Sequence, residues 1–440
     1  MMSMYQSTPT PTPPVTLLLA GVRSAFAKSF GAFEDCSTLE LLSRTVDFLR
    51  TETHIPTSQL RNLAAGVSIA QTQHPNVARE ALLLLGLPQI PGYTVNTGCL
   101  SGLQVVTDAI QQIRTGQQGF FLASAAECWS DVPIVYSREA RKFLLKLSKA
   151  KSAAAKLNMI TNFNAKAWLP KAPLREEPYT GITLTAHAEQ LALETGITRN
   201  EQDTYAWLSH SRALEAEKQG LWKERRISIW PSPHYTDCVQ QDHRLQHPLT
   251  QEALRTMEPV VDPEFGTLTH GNATHPCDGA AVCLLADAET ARTSGLDAQA
   301  RLVDHVYCAF SPESPFLLGS AAAIAQLLQR NGLTLSQIDL FEMHEGSAVQ
   351  ILATQQALAS PEYCRTQLGL SNALGEIPFN KLNIRGGALT LGHPYGASGL
   401  RMIMDIADEL RRRGGQWGIV TLCGSGAMSG ALLIQNPSFT

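Results

Sequence analysis

The first and last thirds of the chain show the same order of predicted strands and helices. Residues 55–64 and 333–342 each join a helix-to-strand connection to a strand, with a Ser-Gln pair at the same place in both. Two apolar runs that end in small residues, 119–127 and 418–426, form another matched pair. Such a repeat constrains the fold, because each copy must bury its apolar face against other elements. Four matched elements in order make coincidence a poor explanation, so we expect an α/β fold with two pseudo-symmetric halves facing one cleft.

Residues 95–110 place a cysteine at a predicted strand-to-helix corner. A small polar turn follows Val95, and apolar residues recur at helical spacing after Cys99. Unpaired N–H groups and the positive dipole end at a helix N-terminus favour a thiolate. Gly98 and Gly102 would leave room for a substrate to reach the sulfur. The pattern favours a nucleophile, although a small buried core cysteine is the alternative.

Three further segments place reactive side chains beside glycines at predicted corners. They hold His344 in 343–346, His393 in 386–399 and Cys423 in 422–426. Cys and His are also zinc ligands. However, the four residues lie on four separate segments without closely spaced pairs, so we predict no metal site.

Residues of about 130–255, between the halves, follow a different pattern. The part from Arg138 to Arg175 is rich in Lys and Arg, has one acid, Glu139, and interleaves these charges with Phe143 and leucines. This pattern predicts a basic amphipathic helix pair in an inserted region. A solvated charged face explains it as well as a docking surface for an anionic cofactor, a partner subunit or a membrane surface.

Composition excludes several classes of protein. The 440 residues have a formal net charge of -4 and are 44% hydrophobic, which is ordinary for a globular chain and gives no indication of nucleic-acid binding. No apolar run reaches the roughly 18 residues of a membrane span. Nine scattered cysteines suggest free thiols in a reducing compartment. The first residues resemble neither a secretory signal nor a mitochondrial presequence, and the end is not a peroxisomal signal. We expect a cytoplasmic, bacterial protein.

Several stretches of the chain resemble the thiolase family. They are VNTGCLSG, HEGSA, GGALTLGHPYGASGLR, CGSG and GTLTHGNATHPCDGAA. In addition, SDVPIVYSREARKFLLKLSKAKS resembles the loop region of the trifunctional-enzyme β-subunit class, which includes bacterial fatty-acid-oxidation 3-ketoacyl-CoA thiolases. The resemblance covers roughly residues 15–436.

The resemblance implies a specific architecture. It is the duplicated thiolase fold, with two pseudo-symmetric halves in a five-layered α-β-α-β-α arrangement. The N-terminal half would span 15–290 and include a mainly helical loop domain of about 130–255, and the C-terminal half would span 299–438.

The resemblance also implies roles for the four reactive residues. Cys99 would be the nucleophile that holds the acyl group, and His393 would take its proton. Cys423 would protonate the leaving acetyl-CoA enolate and then deprotonate incoming CoA. His344, where other thiolases have Asn, would complete one oxyanion site, and the backbone N–H groups of Cys99 and Ser425 would form another.

Coenzyme A would be a substrate, and no prosthetic group is expected. The predicted CoA contacts are His187, Thr274, Ala348 and Ser425. A homodimer is implied, and the class also pairs with a hydratase/dehydrogenase α-subunit.

Departures from the family pattern leave acyl-chain length and rate open. Ser347 stands where a phenylalanine normally lines the acyl pocket, and Ser425, Ala427 and Ser429 stand at glycine positions. At the end of the predicted strand 119–127, the stretch SAAECWS stands where the family has a GGxES-type sequence.

The expected activity is that of a 3-ketoacyl-CoA thiolase (acetyl-CoA C-acyltransferase) of fatty-acid β-oxidation. The alternatives are a short-chain acetoacetyl-CoA thiolase working in the synthetic direction and a weakly active scaffold for a multifunctional α-subunit. A ketoacyl-ACP synthase is disfavoured by Cys423 and the His344 segment.

Overall fold

A computed structural model describes residues 14–169 and 176–439. The strands are β1 (Thr16–Arg23), β2 (Ala27–Lys28), β3 (Leu60–Gly66), β4 (Gly92–Val95), β5 (Phe120–Glu127), β6 (Cys277–Asp287), β7 (Ala300–Ala309), β8 (Leu340–Met343), β9 (Trp417–Gly424) and β10 (Met428–Gln435).

The α-helices of the described residues alternate with these strands in both halves. They are α1 (Thr38–Thr53), α2 (Val77–Leu84), α3 (Ser101–Arg114), α4 (Arg138–Lys149), α5 (Ala153–Thr161), α6 (Leu184–Thr195), α7 (Arg199–Lys218), α8 (His243–Gln246), α9 (Gln251–Thr256), α10 (Ala288–Ser294), α11 (Gly319–Asn331), α12 (Ala348–Ala359), α13 (Pro361–Gln367), α14 (Ala388–Leu391) and α15 (Gly396–Arg413).

The strand order repeats, as the sequence predicted. The sheet runs β4-β3-β5-β6-β1-β7-β10-β9-β8, with the short β2 paired to β6. In one half β3 and β5 are parallel while β5–β6 and β6–β1 are antiparallel. In the other, β8 and β9 are parallel while β9–β10 and β10–β7 are antiparallel. The order β3-β5-β6-β1 therefore matches β8-β9-β10-β7, and the prediction of a duplicated α/β fold is confirmed.

Two helices lie between the halves. Helix α3 packs on β3 and β5 and also reaches β10, while α15 packs on β8 and β9 and also on β5 and β6. Helices α1 and α2 cover the outer face of the first half, and α11 covers that of the second, with α12 against it. Three buried apolar clusters fill these interfaces. The result is the expected five-layered α-β-α-β-α arrangement.

Gly102 lies where the two middle helices, α3 and α15, cross, and its role differs from our expectation. A Cβ atom on Gly102 would overlap the backbone carbonyl of Gly396 on α15. Gly102 is therefore required for close packing of α3 against α15, and it does not provide an open path to the sulfur.

The start of helix α2 has a local cause. It begins at Val77, because Pro75 disfavours helical backbone before it and Asn76 caps the helix. The last long helix, α15, begins at Gly396, directly after the loop of His393.

The region of about 130–255 is mainly helical, as expected, and includes α4 to α9 apart from the last residue of α9. Helix α4 is basic and buries Ala140 and Phe143, as predicted, whereas α5 has a single Lys and buries none of its residues. Residues 170–175 of that stretch lie outside the described residues. Within 14–169 and 176–439, every helix is too short or too polar to span a bilayer.

Candidate active site

Cys99 lies at the predicted strand-to-helix corner. The chain leaves β4 at Val95, turns through Gly98 with φ of +59°, and enters α3 at Ser101. The Ser101 side chain and backbone N–H both donate to the Gly98 carbonyl, at 2.7 and 3.0 Å. These bonds close the turn and hold Cys99, which is 3% exposed, at the start of the helix.

The end of β9 lies directly against Cys99. A Cβ atom built on Gly424 would be 2.8 Å from Cys99 Cβ and 3.2 Å from its Sγ. The next residue, Ser425, directs its backbone N–H to the Cys99 sulfur. Cys423 precedes this glycine and is close enough for the charge of Cys99 to affect its pKa. The structure thus brings together two cysteines that are far apart in the sequence.

Burial controls the ionisation of both thiols. It raises the pKa of Cys99 to about 11, although the N–H groups of Ser425 and Cys99 act in the opposite direction. Burial likewise raises the pKa of Cys423, with the Cys99 charge adding to this and the Gln350 amide, which donates to Sγ at 2.7 Å, opposing it. Our expectation that the helix N-terminus would favour a thiolate is therefore outweighed, in the free protein, by desolvation.

Two imidazoles face each other on loops that contact the segments of these cysteines, through Thr421 of β9 and through Gly102 of α3. The rings of His344 and His393 have centroids 4.1 Å apart. His344 follows β8, and its backbone N–H donates to Thr421 of β9 at 2.9 Å. His393 lies between α14 and α15, and its Nδ1 is 2.7 Å from the hydroxyl of Ser398. The loops after β8 and before α15 therefore deliver both rings to one place.

The free nitrogens of these rings suit them to bind a substrate. Within the described residues, His393 Nε2 and His344 Nδ1 are buried without a hydrogen-bond partner. Burial lowers the pKa of His344 to about 3, and it lowers the pKa of His393 strongly, with His344 and Arg401 adding to the effect. Both imidazoles are thus neutral near pH 7, so each can accept a proton or donate a hydrogen bond.

A buried carboxylate that we did not single out from the sequence organises the histidine loop. Glu345 accepts hydrogen bonds from Tyr205, Ser209 and Asn383 at 2.8–2.9 Å, and from the N–H of Leu389 at 3.2 Å. It joins the loop after β8 to α7 and α14. The only sequence signal was its place beside His344, whereas Gln350, which contacts Cys423, had none.

The predicted CoA contacts occupy three places. Ser425 lies beside Cys99. Thr274 and Ala348 lie where 272–274 meets 346–348, with Thr274 N–H donating to Gly346 and Ala348 N–H to Asn272. The Ala348 methyl is fully buried.

His187, on α6, is half-buried and forms a 2.9 Å hydrogen bond with Thr180. It lines a cavity of about 150 Å³ together with 312–317.

Ser347, expected at the acyl pocket, is buried and caps α12 through its hydroxyl, which accepts from Gln350 N–H. Among the described residues, no three His, Cys, Asp or Glu side chains are arranged to bind a metal ion.

Comparisons with known proteins agree over nearly the whole chain. The family model described as "Thiolase, N-terminal domain" matches residues 16–289, and "Thiolase, C-terminal domain" matches 296–436. A probable 3-ketoacyl-CoA thiolase from Caenorhabditis elegans is 34% identical over 423 residues, 96% of this chain and 94% of the relative. The mitochondrial trifunctional enzyme subunit beta of Bos taurus is 34% identical over 420 residues, 95% of this chain and 88% of the relative.

The fold has close counterparts among solved structures. The crystal structure of human mitochondrial 3-ketoacyl-CoA thiolase superposes with a TM-score of 0.81, at 24% identity, over 96% of this chain and 99% of that one. At this identity the likeness concerns the fold.

Proposed function

The chain belongs to the thiolase family of acyltransferases, and we propose that it is a 3-ketoacyl-CoA thiolase of fatty-acid β-oxidation. The observation that supports this most directly is that Cys99 lies against the strand that holds Cys423, while two neutral imidazoles face each other on adjoining loops, one of which donates a backbone N–H to Thr421 of that strand. Relatives named 3-ketoacyl-CoA thiolase and trifunctional enzyme subunit beta support the same direction. The substrates would be a 3-ketoacyl-CoA and free CoA, and the products acetyl-CoA and an acyl-CoA shortened by two carbons.

The first half-reaction would break a carbon–carbon bond. His393 Nε2 takes the proton of Cys99, and the sulfur attacks the 3-keto carbon of the substrate. The bond between C2 and C3 breaks, which leaves the acyl group on Cys99 and an acetyl-CoA enolate. Cys423 protonates C2 of that enolate. The second half-reaction reverses the proton transfers: Cys423 accepts the proton of incoming CoA, whose sulfur attacks the acyl group. The Cys99 thiolate that leaves takes its proton back from His393.

Oxyanion stabilisation would come from two sets of donors. The backbone N–H groups of Cys99 and Ser425 point to the nucleophile and suit the oxygen of the acyl-enzyme stage. An N–H of His344 suits the enolate oxygen. In the free protein both thiols have raised pKa values, so ionisation of Cys99 requires transfer to a base in the site.

The decisive test is CoA-dependent loss of 3-ketoacyl-CoA absorbance across a series of chain lengths. We expect turnover that Cys99→Ala abolishes, because no other group would hold the acyl chain. Absence of turnover at every chain length would contradict the proposal. Dominant activity on the four-carbon substrate would favour the short-chain alternative.

A scaffold without activity is the third candidate. Iodoacetamide should label Cys99 once the pH is high enough to ionise its thiol, and CoA should protect it. Labelling of Cys99 that CoA does not change would favour a scaffold.

We further propose a cytoplasmic homodimer that also binds a hydratase/dehydrogenase α-subunit. Its support is the family membership and the trifunctional-enzyme relative. A monomeric mass for the isolated chain in size-exclusion chromatography with light scattering would contradict the dimer.

A further inference from the structure

One carboxylate of the inserted region reaches the loop that covers the nucleophile. Glu177 is 3% exposed, and its Oε1 accepts the backbone N–H of Gly426 at 2.7 Å. A tight turn presents it: Glu177 N–H donates to the Ile182 carbonyl, and Gly181 N–H donates to the Glu177 carbonyl, both at 2.8 Å. The side chain thus arrives in a fixed direction from a segment 249 residues away in the sequence.

The loop that it binds has an unusual backbone. Gly426 has φ of +78°, and the next residue, Ala427, has φ of +51°. An alanine is disfavoured in this left-handed region, by about 1 kcal/mol or more, so the loop needs outside contacts to keep its shape. The bond from Glu177 is made one residue after Ser425, whose N–H faces the Cys99 sulfur.

The charge of Glu177 also acts on the nucleophile. The acidic groups that face Cys99 are Glu127, Glu177 and the thiol of Cys423. Burial raises the pKa of Glu127 to about 8, so this group holds its proton at neutral pH. Burial also keeps Cys423 as a thiol, because it raises that pKa as well. The charge of Glu177 adds to the rise in the Cys99 pKa, although burial has the larger effect.

We propose that Glu177 is a positioning residue for Cys99, which couples the inserted region to the nucleophile in two ways. Its hydrogen bond to Gly426 holds the Ser425 N–H against the sulfur, and its charge adds to the effect of burial on the resting thiol. The free protein would then be protected from alkylation and oxidation, which attack the thiolate. The kinetic part of this inference rests on the proposed thiolase function, whereas the ionisation of Cys99 does not.

Two substitutions separate the hydrogen bond from the charge. In Glu177→Gln the amide oxygen still accepts the Gly426 N–H, but the charge is gone. In Glu177→Ala both are gone. Glu176→Gln removes the same charge from the neighbouring, exposed residue and is the matched control.

The first measurement is the iodoacetamide alkylation rate of Cys99 against pH, followed by peptide mass spectrometry. For Glu177→Gln we expect the midpoint to fall by roughly half to one pH unit, because a like charge no longer opposes the thiolate. The Glu176→Gln profile should match that of the parent. A Glu177→Gln profile that also matches the parent would overturn the proposal.

The second measurement is thiolase kcat and KM. Glu177→Ala should lose roughly tenfold or more in kcat with KM little changed, because the Ser425 donor is no longer held in place. Glu177→Gln should keep a kcat within about threefold of the parent value. General unfolding of the segment would instead lower kcat in both variants. Equal kcat values for the parent and Glu177→Ala would also overturn the proposal. Should the parent lack thiolase activity while the alkylation shift appears, the proposed function fails and the charge effect stands.

Discussion

At the scale of single residues, the candidate site is marked by buried side-chain nitrogens that have no hydrogen-bond partner in the described part of the chain. His344 Nδ1 and His393 Nε2 are the clearest examples in the described ranges. An unpaired polar atom costs about 1–3 kcal/mol when buried. In a substrate site this cost is offset when the ligand supplies the missing partner. A buried hydroxyl without a partner among the described residues, such as that of Ser429, should reduce stability.

The role of His344 predicts an ordering of variants. His344→Asn keeps a side-chain N–H donor, as in thiolases with asparagine at this place, whereas His344→Ala removes it. We expect the alanine variant to lose about 10²–10³ in kcat and the asparagine variant to lose clearly less. Steady-state assays on one 3-ketoacyl-CoA check this. Equal losses for the two would argue against an oxyanion role.

Ser429 gives a prediction about stability alone. Its hydroxyl is buried on β10 and has no partner within the part of the chain that the structure describes. Ser429→Ala should therefore raise the free energy of unfolding by about 1 kcal/mol. Ser124→Ala, on β5, is the matched control: that hydroxyl donates to Ala64 at 2.8 Å, so its loss should destabilise. Urea unfolding of both variants measures these changes in the free energy of unfolding. Destabilisation by Ser429→Ala would contradict the prediction.

At the scale of elements, α15 differs from a simple apolar helix because it lies in the middle layer and carries buried charged side chains. Arg401 is 2% exposed and donates to Asp405 at 2.9 Å and to Glu342 of β8 at 3.2 Å. It also lowers the pKa of both site histidines. The helix thus links a buried ion network to the electrostatics of the site.

This network predicts a large stability loss. Arg401→Met removes the cation that binds Glu342 and Asp405, of which Asp405 keeps Trp222 and Arg385 as partners, and should lower the free energy of unfolding by about 3 kcal/mol. Arg292→Met removes an exposed, solvent-screened pair with Glu289 and should leave the free energy of unfolding nearly unchanged. Denaturant unfolding of the two variants is the measurement. Similar small losses in both would show that the buried network contributes little.

At the scale of the whole molecule, the sequence was informative where signals are local and silent where they depend on folding. The corner at Cys99 and the glycine loop around His393 could be predicted, because turns and helix starts depend on neighbouring residues. Glu177 and Gln350 could not, because only the fold brings them to Gly426 and Cys423. For the same reason desolvation of Cys99, a property of the assembled layers, reversed the thiolate expectation.

Buried carboxyls also predict a pH dependence of global stability. Glu127 accepts the N–H groups of Ser68 and Ile69, and burial raises its pKa from 4.5 to about 8. Between these values the folded state holds a proton that the unfolded state has lost. Its stabilising contribution is therefore complete below 4.5 and is lost as the pH rises through about 8, by up to about 1.4 kcal/mol per pH unit.

Urea unfolding at several pH values tests this effect. Glu127→Gln should flatten the decline in stability toward alkaline pH, because it removes the titrating group. Glu139→Gln, at an exposed position, should leave the decline as in the parent. If the free energy of unfolding changed with pH in the same way in the parent and in Glu127→Gln, Glu127 would not hold the proton that we assign to it.

The two helices of the middle layer each touch strands from both copies of the repeat. Cutting the chain between β6 and β7 would separate α3 from β10, and α15 from β5 and β6. Each fragment would then expose an apolar surface that the other now covers. An ancestor with a single copy would have needed a twin molecule to bury that surface. The present chain is then equivalent to such a symmetric pair joined into one polypeptide, which left each copy free to specialise: one holds Cys99, the proposed nucleophile, and the other holds the two imidazoles and Cys423.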